Sequence, residues 1–393
     1  MAGGIPTAPR RHTERHRMST LTTASRQLFS RPDDETFSGW NAILDTLRTR
    51  NEQTEERPYT SLGAVNFADR VYLSCADGAT QTNIAQLTDW SFSQLCRQIS
   101  VTSGTINRLS SATATTAINE LMPAGMSGVA NVMRPQRRPL DDGIIQHDQI
   151  RGLYSRRYER VPDYDVFKFF HALSEQYGYE PAGNFAGKRG GMAPIRPEAS
   201  GLYAGASDSF GIIANEEGKI DIDNSTLYHA VMFGNSEVGK KPLWVTDCLY
   251  NFICGNHQLW GATRVREIRH RHIGSVRDVL QESKREFFEV TDQERHEHRE
   301  KIAQTYQAAT RRQFAHTRER AQERLKAYMP KKRAMGALEF LDHAAAYPKN
   351  PLSDWGVGQA ITLYSQTLPN QDSRHRLDTA AGKIIQGTAY DAA

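Results

Sequence analysis

The chain changes its sequence pattern at Gly274, and this change constrains the fold more than any other feature. Before it, residues 202–273 alternate apolar and polar positions in short runs that Gly, Asn and Asp divide, which is typical of strands joined by turns. After it, residues 292–328 are almost all helix formers with sparse apolar positions. A block of strands followed by a block of helices predicts an α+β protein. We expect a central, mostly antiparallel sheet with flanking helices and a long basic helical C-terminal part.

The pattern also predicts how the chain is divided. Residues 1–35 carry little periodicity and are expected to form a flexible N-terminal arm. Residues 36–273 are expected to form the α+β core domain, and residues 274–393 a helical region that packs on this core.

Apolar spacing predicts individual elements within the core. A period of 3.6 residues indicates helices, and a period of two indicates strands. The predicted elements are helices over 36–50, 88–99 and 163–177, a strand over 71–75, a buried helix over 242–253 and a loop over 126–149.

The charge of the chain is unevenly distributed. The whole chain has 49 Lys and Arg residues against 45 Asp and Glu residues, a net of +4. Residues 261–333 alone hold 19 basic and 11 acidic residues, a net of +8, so the remainder is net −4. Such a local basic excess is what an electrostatic nucleic-acid interface requires.

The most basic stretch is TRVREIRHRH at residues 263–272. Read as a strand, it has positive charge on both faces, which suits an exposed surface better than a core. Guanidinium groups match phosphates bidentately, so a nucleic-acid backbone is a natural partner, with an exposed tryptophan beside it. The residues predicted to bind nucleic acid are Arg264, Arg266, Arg269, Arg271, His270, His272, Trp260, Lys331, Lys332 and Arg333.

Two plainer interpretations of these charges stay open. The basic strand can be a solvated edge strand whose charges deter aggregation. The alternating charges of residues 294–326 can decorate a helix in i,i+4 pairs, and this helix can serve as an oligomerisation arm.

A metal centre is a further interpretation. His270 and His272 would share one strand face, and Asp221 and Asp223 would share another, which a nuclease-like or zinc site can use. These spacings match no tight zinc signature, and the neighbouring arginines would repel a cation. We therefore predict no metal or cofactor, and keep these four residues as the candidates for a metal-dependent alternative.

No motif in the sequence specifies a reaction. It contains no phosphate-binding loop, nucleophile elbow, kinase motif set or dinucleotide fingerprint. We therefore predict no catalytic residues and favour a non-catalytic protein. Two polar turns, at 235–239 and 254–257, are either structural corners or the lining of a cleft beside Trp260 and the basic strand.

The sequence also bears on the compartment. It has no apolar run long enough for a secretory signal or a membrane-spanning helix, so we expect no membrane partner. Cys75, Cys96, Cys248 and Cys254 lie among apolar residues, which predicts buried, reduced thiols. The expected location is the cytoplasm.

The order of several motifs resembles the family called domain of unknown function nine-three-two. These motifs are LTDWSFSQLC at 87–96, YSRRY at 154–158, GLYAGASDSF at 201–210, FGNSEVG at 233–239, LYNFICGNH at 249–257, WG at 260–261 and IRHRHIG at 268–274. The resemblance covers about residues 60–390, and Gly205-Ala206 is an inserted-looking departure from it. It implies a protein of a plasmid or prophage in a bacterial cytoplasm, and it implies no particular reaction.

Three functions are therefore expected, in order of preference. The first is a phage- or plasmid-encoded protein that binds nucleic acid, in particular single-stranded DNA during annealing in replication or recombination. The second is a metal-dependent nucleic-acid-processing enzyme, and the third is a non-catalytic anti-defence factor that binds a host protein. Any of them allows a homo-oligomer.

Overall fold

The computed structural model describes most of the chain in fifteen strands and eleven α-helices. The described residues are 35–37, 39–67, 69–77, 80–81, 84–134, 148–185, 201–222, 225–251, 256–258, 267–273, 276–289, 292–342, 350–368 and 371–387. The predicted N-terminal arm therefore lies almost wholly outside the described residues.

The bounds of the elements are as follows. The strands are β1 (Thr36–Phe37), β2 (Thr54–Tyr59), β3 (Ser61–Phe67), β4 (Arg70–Asp77), β5 (Thr80–Gln81), β6 (Ala85–Leu87), β7 (Gly128–Met133), β8 (Gln149–Tyr154), β9 (Tyr179–Pro181), β10 (Leu202–Ala204), β11 (Ser209–Ile222), β12 (Ser225–Asn235), β13 (Leu243–Asn251), β14 (Asn256–Gln258) and β15 (Glu267–His270). The helices are α1 (Trp40–Glu52), α2 (Asp89–Gln98), α3 (Ser103–Ile106), α4 (Ser111–Leu121), α5 (Asp163–Tyr177), α6 (Val276–Phe287), α7 (Asp292–Arg311), α8 (Arg318–Leu325), α9 (Lys331–Glu339), α10 (Asp354–Gln366) and α11 (Gln371–Gln386).

The strands form two sheets. The larger sheet runs in the order β1-β10-β11-β12-β13-β14, with β9 beside β11 and β15 beside β13. The smaller sheet runs in the order β2-β7-β8-β6-β4-β3, with β5 beside β4. Among the described strands only β6 and β8 pair in parallel. The predicted α+β class with mostly antiparallel strands is confirmed, although the strands are divided between two sheets instead of joined in one.

Each sheet has its own hydrophobic core. In the larger sheet Phe233 is fully buried, and its ring stacks on Phe170 of α5 with centroids 4.0 Å apart. Helix α1 adds Leu47 to the same core. The smaller sheet packs Ile150 against α2 and α4, for example against Ile118. Burial of these side chains holds helices on each sheet, because each fully buried apolar side chain contributes about 1.5–3 kcal/mol.

The described residues that follow β15 lie mostly in helices, and α8 to α11 form a third core with Phe314. The long helix predicted over 292–328 is interrupted, however. Helix α7 ends at Arg311 and α8 begins at Arg318, where the Thr317 hydroxyl accepts a hydrogen bond from the Arg320 amide. Phe314 is fully buried in the interruption, so the chain bends to bring this side chain inward.

Two predicted elements are wrong. Of residues 242–253, predicted as a buried helix, residues 243–251 form strand β13, and residues 128–133, predicted as part of a loop, form strand β7. In β13, Leu243 and Val245 are fully buried on one face, and Thr246 is buried on the other. A strand covered on both faces reads as a continuous apolar run, which sequence periodicity cannot separate from a buried helix.

Across the described residues, no helix combines the length and the apolar character that crossing a bilayer requires.

Candidate functional site

The turn that follows β12, residues 235–239, joins the two sheets. The indole nitrogen of Trp90 on α2 donates to the Val238 carbonyl at 2.8 Å, and Gln94 donates to the same oxygen at 3.2 Å. Val238 also lies against Gly152 of β8, where a Cβ would stand 3.0 Å from Val238 Cβ. The turn is therefore a structural corner that is inserted between the larger sheet and the smaller sheet.

Glu237 of this turn is a buried anion with arginine partners. Its side chain is fully buried, and Oε2 lies 2.8 Å from Arg151 Nη1 and 3.3 Å from Arg160 Nη2. Its Oε1 accepts a 2.8 Å hydrogen bond from the Asp163 amide at the start of α5. Burial opposes ionisation, but the two guanidinium groups outweigh it and hold the pKa of Glu237 below its usual range.

Asp163 is a second carboxyl in the same interior. Its Oδ1 accepts a 2.7 Å hydrogen bond from Asn235 Nδ2. Burial, and then the charge of Glu237, raise the pKa of Asp163 to about 7. Two carboxyls that share one desolvated region cannot both ionise easily, so the one without a direct arginine bond keeps its proton longer.

His272 extends this network toward the surface. It is 4% exposed, its Nε2 lies 3.0 Å from Asn235 Oδ1, and its Nδ1 contacts the Tyr158 hydroxyl. Asn235 donates through Nδ2 to Asp163 and to the Val161 carbonyl, so its Oδ1 accepts from His272 Nε2. Burial, and then His270, lower the pKa of His272 to about 4, which keeps the imidazole neutral.

We call this network the polar hub. Its members are Arg151, Tyr158, Arg160, Asp163, Asn235, Glu237 and His272. It fastens β8, the end of β12, the start of α5 and the end of β15 to one another, because each of these segments supplies at least one member. A network with this many satisfied polar groups fixes one arrangement of the surrounding segments.

A second layer of polar contacts lies beside the hub. Lys240 Nζ stands 3.0 Å from Ser207 Oγ and 3.2 Å from Asp208 Oδ1, and Lys241 Nζ stands 3.0 Å from Asp208 Oδ2. The Ser236 hydroxyl donates to the Ser207 carbonyl at 2.7 Å. The segments 201–210 and 233–239, which lie far apart in sequence, thus meet in the structure. Lys240 is engaged as a donor to a carboxylate, which does not suit a general base for Ser207.

The predicted basic strand is an edge strand of the larger sheet. In β15, Ile268 packs on the core and lies opposite Val245, whereas Arg269 and the following Arg271 are exposed. The Glu159 amide donates to the His272 carbonyl at 2.8 Å, so the loop that carries the exposed Arg157 is joined to the segment that follows this strand. We call Arg157, Arg269 and Arg271 the basic edge.

The structure corrects part of the predicted interface. His272 is in the interior with both ring nitrogens engaged, so the expectation that it lies on an exposed basic face is wrong. His270 is half-buried, and within the described residues its Nε2 has no hydrogen-bond partner. Neither a phosphate nor a metal ion can reach His272 unless its bonds to Tyr158 and Asn235 break.

The remaining predicted residues are distributed as follows. Arg264, Arg266, Trp260 and Asp223 lie outside the described residues, as does the side chain of Asp221, whose backbone belongs to β11.

The C-terminal basic triplet lies on the helical core. Lys331 and Lys332 are exposed in the first turn of α9, and Arg333 is half-buried with Nη2 3.1 Å from Ser373 Oγ. Helix α9 buries Ala334 and Ala337 in the helical core, whereas β15 packs on the core of the larger sheet. The two groups of basic residues therefore belong to different cores.

Neither thiols nor metal ligands gather in the part of the chain that the structure describes. It contains no group of three or more His, Cys, Asp or Glu side chains that could hold a metal ion. Cys75 and Cys96 are buried free thiols, as predicted, and burial raises the pKa of each to about 11. They are protonated at neutral pH and unsuited to nucleophilic chemistry.

Sequence reasoning missed the polar hub and Arg157. Arg151 and Glu237 are 86 residues apart, and no local pattern announces that they pair. The available signal was the two polar segments 154–158 and 235–239, which carry Tyr158, Asn235 and Glu237.

Comparison with known proteins gives one match. The model of the family described as Domain of unknown function (DUF932) matches residues 151–380, a segment that contains every member of the polar hub and of the basic edge. No curated protein and no solved structure matches the chain significantly. Because the matched segment covers more than half of its length, the chain belongs to the DUF932 family.

Proposed function

We propose that this protein binds the phosphate backbone of nucleic acid through the basic edge. The observation that carries the proposal is the hydrogen bond from the Glu159 amide to the His272 carbonyl, 2.8 Å long. It joins two segments that are distant in sequence, and each segment carries an exposed arginine within two residues of this bond, Arg157 in one and Arg271 in the other. Exposed arginines on two joined segments favour a binding site over a charged edge strand that only deters aggregation.

The chemistry of the basic edge suits a polyanion. Arg157, Arg269 and Arg271 are exposed, and guanidinium groups offer paired donors that match phosphate oxygens. The exposed Glu159 lies nearby in sequence and reduces the local charge, so binding by these arginines alone is expected to be moderate and sensitive to salt.

The polar hub holds the two segments that carry the basic edge. His272 precedes Ile273 at the end of β15 and is held by Tyr158 and Asn235, while Arg160 of the same loop as Arg157 is held by Glu237. Both arginine-bearing segments are therefore anchored in one buried network. A pre-organised surface loses less conformational entropy on binding than a mobile one.

We also propose, from the family resemblance, that the protein is encoded by a phage or plasmid and is located in the bacterial cytoplasm. DNA is the expected partner, with annealing or protection of single strands as the biological setting.

The test is a salt titration of binding to a short labelled DNA strand, followed by fluorescence anisotropy. Because counterions are released, affinity should fall about tenfold between roughly 50 and 200 mM salt. The double variant R269Q/R271Q should bind more weakly to every sequence tested. The control R108Q/R320Q removes the same charge from two exposed positions, one in the loop between α3 and α4 and one in α8, and should bind like the wild type.

Two results would overturn the proposal: no binding at low salt, or binding that is indifferent to salt. Purification without nucleic acid but with a host protein would favour the anti-defence alternative. The ratio of absorbance at the nucleic-acid and protein maxima reports this directly.

A further inference from the structure

An aromatic side chain lies directly beside the basic edge. Strands β13 and β15 are antiparallel, and Trp244 stands opposite Arg269 in their register. Residues opposite each other in an antiparallel pair project from the same face of the sheet, with Cβ atoms about 4.5–5.5 Å apart. Trp244 is half-buried and Arg269 is exposed, so the two side chains share one partly accessible surface.

The position of the indole is set by a glycine. Gly234 of β12 pairs with Trp244 on the other side of β13. A Cβ added to Gly234 would lie 2.7 Å from Cε2 and Nε1 of Trp244, so the indole extends across the backbone where another residue would place a side chain. The glycine lets an aromatic plane lie over the sheet next to an arginine.

Two further exposed residues follow the strand β15. Arg271 and Ile273 are exposed, Ile273 by 61%, and the Ile273 amide donates to the Arg271 carbonyl at 2.6 Å, so the chain turns here. The exposed isoleucine offers an apolar contact surface close to Arg271 in the chain. Aromatic, cationic and apolar groups together are what an unpaired nucleotide can use, since it has a base face, a phosphate and a sugar.

We infer that the basic edge is a site for single-stranded nucleic acid, in which an unpaired base stacks on Trp244 while phosphates contact Arg269 and Arg271. This inference rests on the proposed function and specifies its substrate class. A duplex keeps its base faces covered by neighbouring pairs, so it can use the two arginines and cannot use the indole. Single strands are therefore bound more tightly than duplexes of the same length.

The experiment compares wild type, W244L and W244F on a single strand and on the corresponding duplex. Loss of one stacked base should weaken single-strand binding by W244L about tenfold, with little change in duplex binding. W244F keeps an aromatic ring and should recover most of the loss. Circular dichroism shows whether each variant keeps the fold.

A change in the ligand makes the test independent of variant folding. An otherwise identical strand with abasic sites should bind wild-type protein about tenfold more weakly than the intact strand. Equal affinity for the intact and abasic strands, or an equal effect of W244L on single strand and duplex, would overturn the inference while salt-dependent binding still supports the proposed function. Absence of binding to all three ligands would instead overturn the proposed function.

Discussion

Replacing Glu237 with glutamine is the sharpest perturbation of the polar hub. The substitution keeps the shape of the side chain and removes its charge. In the native arrangement Oε1 accepts from the Asp163 amide and Oε2 from Arg151 and Arg160. If the glutamine oxygen accepts the hydrogen bond from the Asp163 amide, the side-chain nitrogen of the glutamine must face the guanidinium groups of Arg151 and Arg160. All three groups are hydrogen-bond donors, so the bonds to both arginines are lost.

The magnitude follows from the burial of the partners. The side chains of Arg151 and Arg160 are 4% and 11% exposed, so water cannot replace the lost carboxylate. Removing one partner of a buried ion pair costs about 3–5 kcal/mol because a charge is left uncompensated. For a cooperative unit of about 250 residues, this lowers the melting temperature by roughly 10 °C.

Thermal and urea unfolding at neutral pH measure the effect. The matched control is E175Q, in which an exposed carboxylate on α5, 72% accessible, loses the same charge. A surface change of this kind should alter stability by less than about 0.5 kcal/mol. An E237Q protein within about 1 kcal/mol of the wild type would refute the buried, ionised Glu237 described above.

Two further predictions concern the hub and the larger sheet. The pKa of Asp163 is raised to about 7, so this residue stabilises the fold fully below pH 3.8 and loses this contribution as pH rises through 7. The pKa of His272 is lowered to about 4, so its contribution to stability is full above pH 6.5 and is lost as pH falls through 4. The two effects oppose each other in the wild type. Between pH 5 and pH 8, the free energy of unfolding measured in urea should therefore fall by about 2–3 kcal/mol more in the wild type than in D163N. An equal change in both proteins would contradict the raised pKa of Asp163. G211A should lower the free energy of unfolding by about 1–3 kcal/mol, because its Cβ would lie 2.3 Å from Phe233 Cζ. At the control position Gly39, none of the described residues has an atom within 4 Å of an added Cβ, so equal melting temperatures of G211A and G39A would contradict this packing.

The sequence predicts best where one face of an element is buried. Helix α5 occupies residues 163–177 as predicted, because Val166, Phe170 and Leu173 face the core and the remaining positions are more polar. Strand β15 lies within the stretch predicted to be a strand, but only one of its faces is exposed as expected, because Ile268 faces the core and Arg269 faces away from it.

Prediction fails where burial or pairing depends on distant segments. Strand β13 is buried on one face and partly covered on the other, where Trp244 is half-buried, so its apolar run resembles that of a buried helix. The exposure of His272 could not be inferred from its neighbours, because Tyr158 and Asn235, which bury it, come from other parts of the chain. The hub as a whole consists of contacts between residues 37 to 114 positions apart.

The most direct test of the proposed function is the salt dependence of single-strand binding. Each phosphate contact contributes about 0.7 to the slope of log affinity against log salt for single strands, so R269Q/R271Q should have a slope smaller by about 1.4 than the wild type. R108Q/R320Q should keep the wild-type slope. An unchanged slope in R269Q/R271Q, with binding otherwise intact, would contradict a phosphate contact at the basic edge.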